Sequence, residues 1–291
     1  MAVLVAAVAA VAGAAPGAAD ELAAPIPADA PPTPVPADAH GVAVRISSGE
    51  PRPAAGDREA WAHRLMRRVF RRAGLRVGVQ EFPVPGRGRS RNVIGVWDTP
   101  RNCLRIVMAH ADSAPGAPGA NDNASGLGVV ASLAGRLEPI RPRCDVWLVA
   151  TGAEERIYTG SADHLGARAL ARRARSHGAR RRLQWALSLD EVGRDRPFWL
   201  RSPVSAMRPA VERALLDAAG RVGVPVSWVH DDGSGNSDHR EFQLLGLPAA
   251  NLGVGAGGEP CRHMACDRPS RLDQKSLVLA RRMTAAALRA R

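Results

Sequence analysis

The chain has 291 residues and a formal net charge of +12, with 45% hydrophobic and only 4% aromatic residues. This hydrophobic content excludes a globally disordered chain and is enough for one large domain or two small ones. Of the 40 basic residues, only Lys275 is a lysine and the others are arginine. They are spread along the chain without clusters of aromatic residues. This pattern argues against a nucleic-acid-binding surface, so we predict no nucleic-acid partner.

The N-terminal segment predicts export. Residues 1–19 are apolar and rich in Ala and Val, and small residues precede Asp20. The run is too short to span a bilayer and ends in the kind of small-residue site that follows a signal peptide. Residues 20–40 are rich in Pro, Ala and Asp and include the stretch PPTPVP, which is typical of an extended tether. No other segment is apolar for long enough to cross a membrane, so we expect a secreted protein with one folded domain over residues 41–291.

The predicted elements follow the tether in chain order. Apolar residues at helical spacing from Trp61 to Phe70 predict a helix that Asp57 caps and Gly74 ends. A second helix is predicted from about Ala124 to a stop before Pro139. The remaining predicted elements are strands at 75–82, 93–97, 104–108, 145–150 and 183–189, and helices at 209–219 and 270–289. Alternating strands and helices at this spacing predict an α/β sandwich with a largely parallel central sheet.

The four cysteines are an even number, which in an exported chain indicates disulfide bonds. Cys103 and Cys144 each precede an apolar run, so two neighbouring strands would begin with them, and a bridge between them is one candidate pairing. No C-x2-C pair occurs in the sequence, so we do not predict a cysteine-based zinc site.

Side chains that can bind metals follow several of the predicted strands, where ligands bind in sheets of this kind. In strand order these residues are His110 and Asp112, then Glu154 and Glu155, then Asp190. Asp122 lies in a Gly- and Asn-rich loop, and His263 supplies a further imidazole. Each residue alone has an ordinary explanation, such as a turn or the solvated start of a helix. Together, two His, two Asp and a Glu match the ligands that a pair of divalent metals needs, with one carboxylate left as a base.

Six segments occur in the order HAD, GANDNASG, GAEE, SLDEVG, NSDHREF and CRHMACD. Together they resemble the co-catalytic di-zinc aminopeptidases secreted by bacteria, the leucyl-aminopeptidase-like members of the MH clan. The resemblance runs from about Asp57 to the C-terminus and implies a three-layer α/β sandwich, with a mixed, mainly parallel central sheet and helices on both faces. This fold agrees with the pattern of strands and helices. It also implies that the domain at 41–291 is a catalytic domain, which acts on peptides with a free N-terminus. We expect it to be a monomer.

The resemblance implies two Zn²⁺ per chain and a role for each candidate residue. The implied ligands are His110 and Asp190 for one zinc, Glu155 and His263 for the other, and Asp122 as the bridge between them. The peptide bond between Asp122 and Asn123 would be cis. Glu154 would be the general base, taking a proton from the water that bridges the two zincs and passing it to the leaving amine. Asp112 would hold the far nitrogen of His110 and fix its tautomer.

The second imidazole ligand has a rival. His239, in the segment Ser237-Asp238-His239, has the same ligand chemistry as His263, and chemistry alone does not choose between them. The family pattern places the imidazole in the Cys-x-His-x-x-Cys loop, so we prefer His263 as the ligand and place His239 behind the ligands. The same pattern implies a Cys261–Cys266 disulfide, which would hold this loop and reduce the entropy lost on metal binding.

The chain departs from the family pattern at two positions that face substrate. Arg262 stands where secreted members have a Tyr that steadies the oxyanion, and Asn236 stands where they have an Arg near the substrate amine. We predict that Arg262 takes over oxyanion stabilisation, because its guanidinium offers a fixed charge and several donors. The alternative is that Arg262 points to solvent and that Tyr158, a metal or water does this work.

Two other functions compete with the aminopeptidase reading. A glutaminyl-cyclase-like acyltransferase would share the fold but use a single zinc, and a binding module would keep only the scaffold. The Glu154-Glu155 pair and the Cys-flanked His263 fit the peptidases better than the cyclases. No ligand or base is missing from the sequence, which argues against a binding module.

Overall fold

In a computed structural model, the described residues are 38–159, 164–176, 178–194, 197–231, 237–255 and 258–290. The predicted signal peptide and nearly all of the predicted tether lie outside them. The first described helix, α1 (Ala39–Ser47), begins after Asp38, whose Oδ1 accepts a hydrogen bond from Gly41 N at 2.8 Å. Helix α1 therefore includes Ala39 and His40, the last two residues of the predicted tether.

The described elements alternate along the chain. After α1, the helices are α2 (Asp57–Arg72), α3 (Gly126–Ala134), α4 (Leu137–Ile140), α5 (Arg156–Thr159), α6 (Leu165–Ser176), α7 (Ala214–Arg221), α8 (His239–Leu244) and α9 (Gln274–Arg289). The strands are β1 (Arg76–Val84), β2 (Gly88–Trp97), β3 (Leu104–His110), β4 (Asp145–Thr151), β5 (Leu183–Asp190), β6 (Phe198–Ser202), β7 (Val226–His230) and β8 (Ala249–Val254). Short helical turns lie at Ala120–Ser125, Ala179–Arg181, Pro209–Arg213 and Pro269–Arg271.

The described strands form one mixed sheet in the order β1-β2-β4-β3-β5-β8-β6-β7. Its centre is parallel, since β4, β3, β5 and β8 run in one direction, and β6 pairs parallel with β7. Antiparallel pairing joins β1 to β2, β2 to β4 and β6 to β8. Helices α1, α2, α3, α7 and α9 contribute to the core on one face, and α6 and α8 pack on the other. The predicted three-layer α/β fold is confirmed.

The strongest sequence patterns correspond to observed elements, and the weaker ones were missed. All five predicted strands are present. Those at the centre of the sheet, β3, β4 and β5, are largely apolar, as buried strands require. Strands β6, β7 and β8 and helices α1, α6 and α8 were not predicted. Strand β8, AANLGV, contains Gly and Asn and was not recognised as a strand. It is buried because β5 and β6 pair with its two edges and the two cores cover its faces.

Two helix ends also differ from the prediction. The N-cap of α2 is Gly56, and Asp57 is the first helical residue, so its carboxylate complements the helix dipole without capping. Helix α3 ends at Ala134, and the segment with Pro139 forms the separate short helix α4. Gly126 begins α3 against β5, where an added Cβ would collide with the carbonyl oxygen of Leu189. This close approach holds the preceding loop over the carboxyl end of the sheet.

Two disulfides connect the described cysteines. Cys103 and Cys144 precede β3 and β4, with their Cα atoms 4.9 Å apart. Cys261 and Cys266 close a short loop after β8, with their Cα atoms 5.4 Å apart. Among the described helices, none combines the length and the hydropathy that a membrane crossing requires.

Candidate metal centre and active site

The carboxyl ends of three central strands place the candidate ligands together. Strand β3 lies between β4 and β5 and is parallel to both, so the three strands end at the same edge of the sheet. His110 is the last residue of β3 and Asp190 the last residue of β5, and the Glu154-Glu155 pair follows β4. The sequence order of polar residues thus becomes a spatial cluster, as expected for this edge of a parallel sheet.

Two groups of ligand atoms form at this edge and share Asp122. In the first group, His110 Nε2 lies 3.2 Å from Asp122 Oδ1 and 3.6 Å from Asp190 Oδ1. In the second group, His263 Nε2 lies 3.3 Å from Asp122 Oδ2 and 3.1 Å from Glu155 Oε2. The two oxygens of Asp122 therefore face different groups. The Asp122–Asn123 peptide bond is cis.

The residues of both groups fit a bound metal. His110 Nε2, Asp190 Oδ1 and Glu155 Oε1 are buried and make no hydrogen bond with any described residue. Buried polar atoms in folded proteins nearly always have a partner, and a cation in each group would provide one. One imidazole with carboxylates is a donor set that zinc accepts. Both groups therefore match the chemistry of a divalent cation.

The electrostatics of the centre agree with this fit. Burial alone would lower the pKa of His110, but the Glu154 carboxylate and the neighbouring aspartates raise it well above its usual value. The carboxylates of Asp122 and Glu155 raise the pKa of His263 to about 10, against the effect of its partial burial. Burial raises the pKa of Glu154 to about 8. An excess of carboxylates in a buried space is the environment that divalent cations neutralise.

Asp112 connects the two strands that carry the candidate ligands. Its Oδ1 lies 3.5 Å from His110 Nδ1, and the same nitrogen lies 3.2 Å from the Asp112 carbonyl oxygen. Its Oδ1 and Oδ2 accept hydrogen bonds from the backbone nitrogens of Glu154 and Glu155, at 3.1 and 3.0 Å. Asp112 was predicted to orient His110 only. The structure also places it as the acceptor that holds the backbone of the Glu pair.

Two buried carboxylates behind the centre were not identified from the sequence. Asp267 accepts hydrogen bonds from the backbone nitrogens of Asn121 and Asp122, at 2.7 and 3.0 Å, and so holds the loop of the shared ligand. Glu59, in α2, accepts hydrogen bonds from Ser90 Oγ at 2.8 Å and from Ala153 N at 2.9 Å. Asp267 lies in a segment that the resemblance covers. The sequence does not indicate that Glu59 is buried near the site, because an acidic residue in the first turn of a helix is normally solvated.

Arg262 lies at the rim of the site and is paired with Glu191. Its Nε donates to Glu191 Oε1 at 2.8 Å, and Nη2 donates to Oε2. About a third of the Arg262 side chain is exposed, at 36%, while that of Glu191 is buried. The pair joins the residue after Asp190 to the residue before His263, so it links the strand end and the loop that carry one candidate ligand each. The Arg262 side chain does not extend freely into solvent.

The remaining predicted residues have different outcomes. His239 is buried beside the centre, with Nε2 3.5 Å from Asp231 Oδ2, and belongs to neither ligand group. Tyr158 donates its hydroxyl to the carbonyl of Ser113 at 2.7 Å, which points its oxygen at the protein backbone. Asn236 lies outside the described residues. Of the two imidazoles, the structure therefore brings His263 to the carboxylates.

A cavity of about 230 Å³ opens onto both ligand groups. Its wall includes several residues of the two ligand groups, Glu154, which belongs to neither group, and the Arg262–Glu191 pair. Its other lining residues include Arg201, Asp231, Ser237, His239 and Asn251. The cavity is thus a polar, concave site in which a small molecule would meet the metal-competent residues and a carboxylate base together.

The model of Peptidase family M28 matches residues 92–288 of the chain, which include every member of both ligand groups. The match covers well over half of the sequence, and the chain belongs to Peptidase family M28. The HAD, GAEE and CRHMACD segments all lie within the matched region.

Two curated relatives align with part of the chain. Aminopeptidase YwaD of Bacillus subtilis (strain 168) is 30% identical over 176 residues, which are 56% of this chain and 35% of YwaD. The uncharacterized protein YfbL of Escherichia coli (strain K12) is 36% identical over 98 residues, which are 31% of this chain and 30% of YfbL. The alignments therefore span about a third of the length of these curated relatives.

Solved structures share the fold over most of the chain. An aminopeptidase from Aneurinibacillus sp. strain AM-1 superposes with a TM-score of 0.76 at 18% identity and covers 88% of this chain and 94% of its own. A glutaminyl cyclase from Bacteroides thetaiotaomicron gives a TM-score of 0.74 at 17% identity, with coverage of 88% and 98%. The TM-scores establish a common fold. At this low sequence identity, the shared fold does not separate the two activities.

Proposed function

We propose that the chain is an exported zinc-dependent aminopeptidase, which removes the N-terminal residue from peptides and holds two Zn²⁺ per chain. The observation that carries this proposal is the geometry of Asp122, whose oxygens lie 3.2 Å from His110 Nε2 and 3.3 Å from His263 Nε2. One carboxylate between two ligand groups is suited to a pair of ions. Membership in Peptidase family M28 and the similarity to Aminopeptidase YwaD support the assignment.

Each ligand group would hold one ion. His110 and Asp190 would bind the first, Glu155 and His263 the second, and Asp122 would contact both. Zinc bound in this way supplies Lewis acidity, which lowers the pKa of water and polarises a carbonyl. The chain's own contribution is to hold these five side chains at fixed positions at the strand ends and in two loops.

Glu154 is the residue we assign as general base. It lines the cavity next to the ligand groups but belongs to neither. Its neighbour Glu155 directs Oε2 to His263 at 3.1 Å, whereas Glu154 directs Oε1 to His164 at 3.3 Å, so the two side chains diverge. Because Glu154 lies outside both ligand groups, its carboxylate would accept a proton from the attacking water and return it to the leaving amine.

The proposal is tested by the requirement for a free amino group. The protein should release the chromophore from leucine p-nitroanilide and should leave N-acetyl-leucine p-nitroanilide intact, because an aminopeptidase recognises the unblocked N-terminus. Equal hydrolysis of the two substrates, measured as initial rates at matched concentrations, would contradict the aminopeptidase assignment.

The second candidate function is a glutaminyl-cyclase-like reaction, because the glutaminyl cyclase from Bacteroides thetaiotaomicron has the same fold. That reading uses a single zinc, whereas this chain offers two ligand groups and places Glu154 beside both. A peptide with N-terminal glutamine separates the two. Release of free glutamine supports the aminopeptidase, and release of ammonia with an otherwise intact peptide supports the cyclase.

We propose that Arg262 contributes to oxyanion stabilisation from the rim of the cavity. Glu191 holds the guanidinium through Nε and Nη2. This bidentate contact fixes the direction of the group, and a preorganised donor is the kind that stabilises developing charge. Replacing Arg262 with Ala should lower kcat for leucine p-nitroanilide by about ten- to a hundredfold with little change in KM.

Replacing Glu191 with Gln provides the matched control for this prediction. It removes the partner charge and leaves Arg262 in place, so kcat should fall less than in the Arg262→Ala protein. An Arg262→Ala protein with unchanged kcat/KM, measured under steady-state conditions, would exclude Arg262 from the reaction.

Export and a monomeric state remain part of the proposal. The disulfides Cys103–Cys144 and Cys261–Cys266 support export, because such bonds persist mainly in oxidising compartments. The N-terminal sequence of protein recovered from the culture medium tests export and cleavage near residue 19. Size-exclusion chromatography with light scattering tests the monomer.

A further inference from the structure

His164 lies beside Glu154 and has no role in the function proposed above. It immediately precedes helix α6, only 4% of its surface is exposed, and it has a positive φ of 48°. Its backbone nitrogen donates to the carbonyl oxygen of Glu154 at 3.0 Å. A buried imidazole in an uncommon backbone conformation, next to a candidate base, needs an explanation.

The backbone around His164 is held firmly against the loop that carries the Glu pair. Leu165 N donates to Ala153 O at 2.9 Å, and Gly166 N donates to Gly152 O at 3.0 Å. Gly166 leaves no space for a Cβ, which would collide with the Gly152 carbonyl oxygen. The start of α6 and the loop after β4 therefore form one unit, so the position of the His164 ring is determined by the fold.

The His164 ring lies between two buried carboxylates from different parts of the chain. Its Nε2 is 3.3 Å from Glu154 Oε1, and its Nδ1 is 3.5 Å from Glu241 Oε1. Glu241 belongs to α8 and is itself 3.2 Å from Nη1 of Arg240. Helix α8 packs against α6 on the same face of the sheet, which keeps Glu241 behind the imidazole.

The charge of the His164 ring suits this bridging position. Burial would lower its pKa, but the carboxylates of Glu154 and Glu241 raise the pKa to about 10. A protonated imidazole donates from both nitrogens, so one ring can hold a carboxylate on each side. His164 is in neither ligand group, so its contacts leave the metal-competent atoms unchanged.

We propose that His164 is a positioning residue for Glu154: braced by Glu241, its imidazole fixes the Glu154 carboxylate in the direction of the reacting water. The inference rests on the proposed function, in which Glu154 is the general base. A glutamate side chain has several rotatable bonds, and a base must be within hydrogen-bond reach of the proton it takes. One held oxygen limits the rotamers of Glu154 and leaves the other oxygen for the proton.

The first test measures the contacts of the imidazole without measuring turnover. ¹⁵N-histidine labelling of the full-length, zinc-loaded protein gives one pair of ring signals per histidine, and the His164→Gln protein identifies the pair from His164. Both ring nitrogens should be protonated at neutral pH. Glu154→Gln should shift the Nε2 signal, and Glu241→Gln should shift mainly the Nδ1 signal. If neither signal responds to Glu154→Gln, His164 does not contact the base and the proposal is wrong.

The second test is steady-state kinetics on leucine p-nitroanilide with zinc content measured in parallel. His164→Phe keeps a ring but no donor, and it should lower kcat by roughly ten- to a hundredfold with KM within about twofold. His164→Gln retains a donor and should recover part of the loss. His40→Gln, in α1 and away from the cavity, is the matched control and should behave as the wild type.

The outcomes separate positioning from a structural role and from failure of the proposed function. A His164→Phe protein with normal kcat, or one that loses zinc and thermal stability instead of kcat, overturns the proposal. If the wild type itself does not hydrolyse the anilide, the aminopeptidase assignment fails. The ¹⁵N signals then still decide whether His164 holds Glu154.

Discussion

Replacing Glu154 with Gln is expected to lower kcat for an amino-acid anilide by about a hundredfold or more. A hundredfold loss corresponds to about 2.7 kcal/mol in the activation free energy. The change keeps the size and hydrogen-bonding reach of the side chain but removes its ability to accept a proton. Glu154 belongs to neither ligand group, so both groups should retain their metals.

The measurement combines kcat with metal content per chain by elemental analysis. Glu138→Gln, an exposed change of the same chemistry in α4, is the matched control and should leave both quantities unchanged. A Glu154→Gln protein with near-normal kcat would show that another group takes the proton. Loss of metal would instead make Glu154 part of the ligand set, contrary to its position outside both groups.

Replacing Asp122 with Ala is expected to have a different signature, loss of metal together with loss of activity. Asp122 is the only residue in both ligand groups found among the described residues, and its removal takes an oxygen from each. His110 and His263 would also lose a carboxylate within 3.2 and 3.3 Å, respectively. We expect the wild type to hold two Zn²⁺ per chain and the Asp122→Ala protein to hold fewer.

Chelation extends this prediction to the wild type. Dialysis against a strong chelator should abolish anilide hydrolysis, and added zinc should restore it. Asp217→Ala, an exposed change in α7, controls for removal of a carboxylate far from the cavity. Full activity in a metal-free preparation would contradict a metal-dependent mechanism, and one zinc per active chain would contradict the two-ion proposal.

Some residues of the site can be predicted from the sequence pattern alone, and others cannot. His110 and Asp190 end strands that are largely apolar, so the change from apolar to polar marks both the strand end and the site. Asp122 and His263 lie in loops without such a marker, and the resemblance to a family gave them their roles. Parallel neighbours align their carboxyl ends, which brings His110, Asp190 and Glu155 to one edge of the sheet, and the two loops bring Asp122 and His263 to the same place.

The partner of the Arg262 side chain could not be predicted from the sequence. The sequence shows a cation immediately before a candidate ligand, and from this we predicted a side chain held near the substrate carbonyl, where it would stabilise the oxyanion. The structure pairs that cation with Glu191, which is 71 positions away in sequence. Side-chain pairing across such a separation depends on how two loops approach each other, and no local periodicity encodes it.

The sequence alone determined the α/β class, the central strands β3, β4 and β5, and the set of metal-competent residues, since burial favours long apolar runs and metal chemistry requires particular side chains. The tertiary structure decided the rest. It placed His263 rather than His239 with the carboxylates, paired Arg262 with Glu191, and brought His164 to Glu154. The physical reason is that these contacts join segments distant in the chain, so they exist only after the sheet edge has assembled and the loops have packed over it.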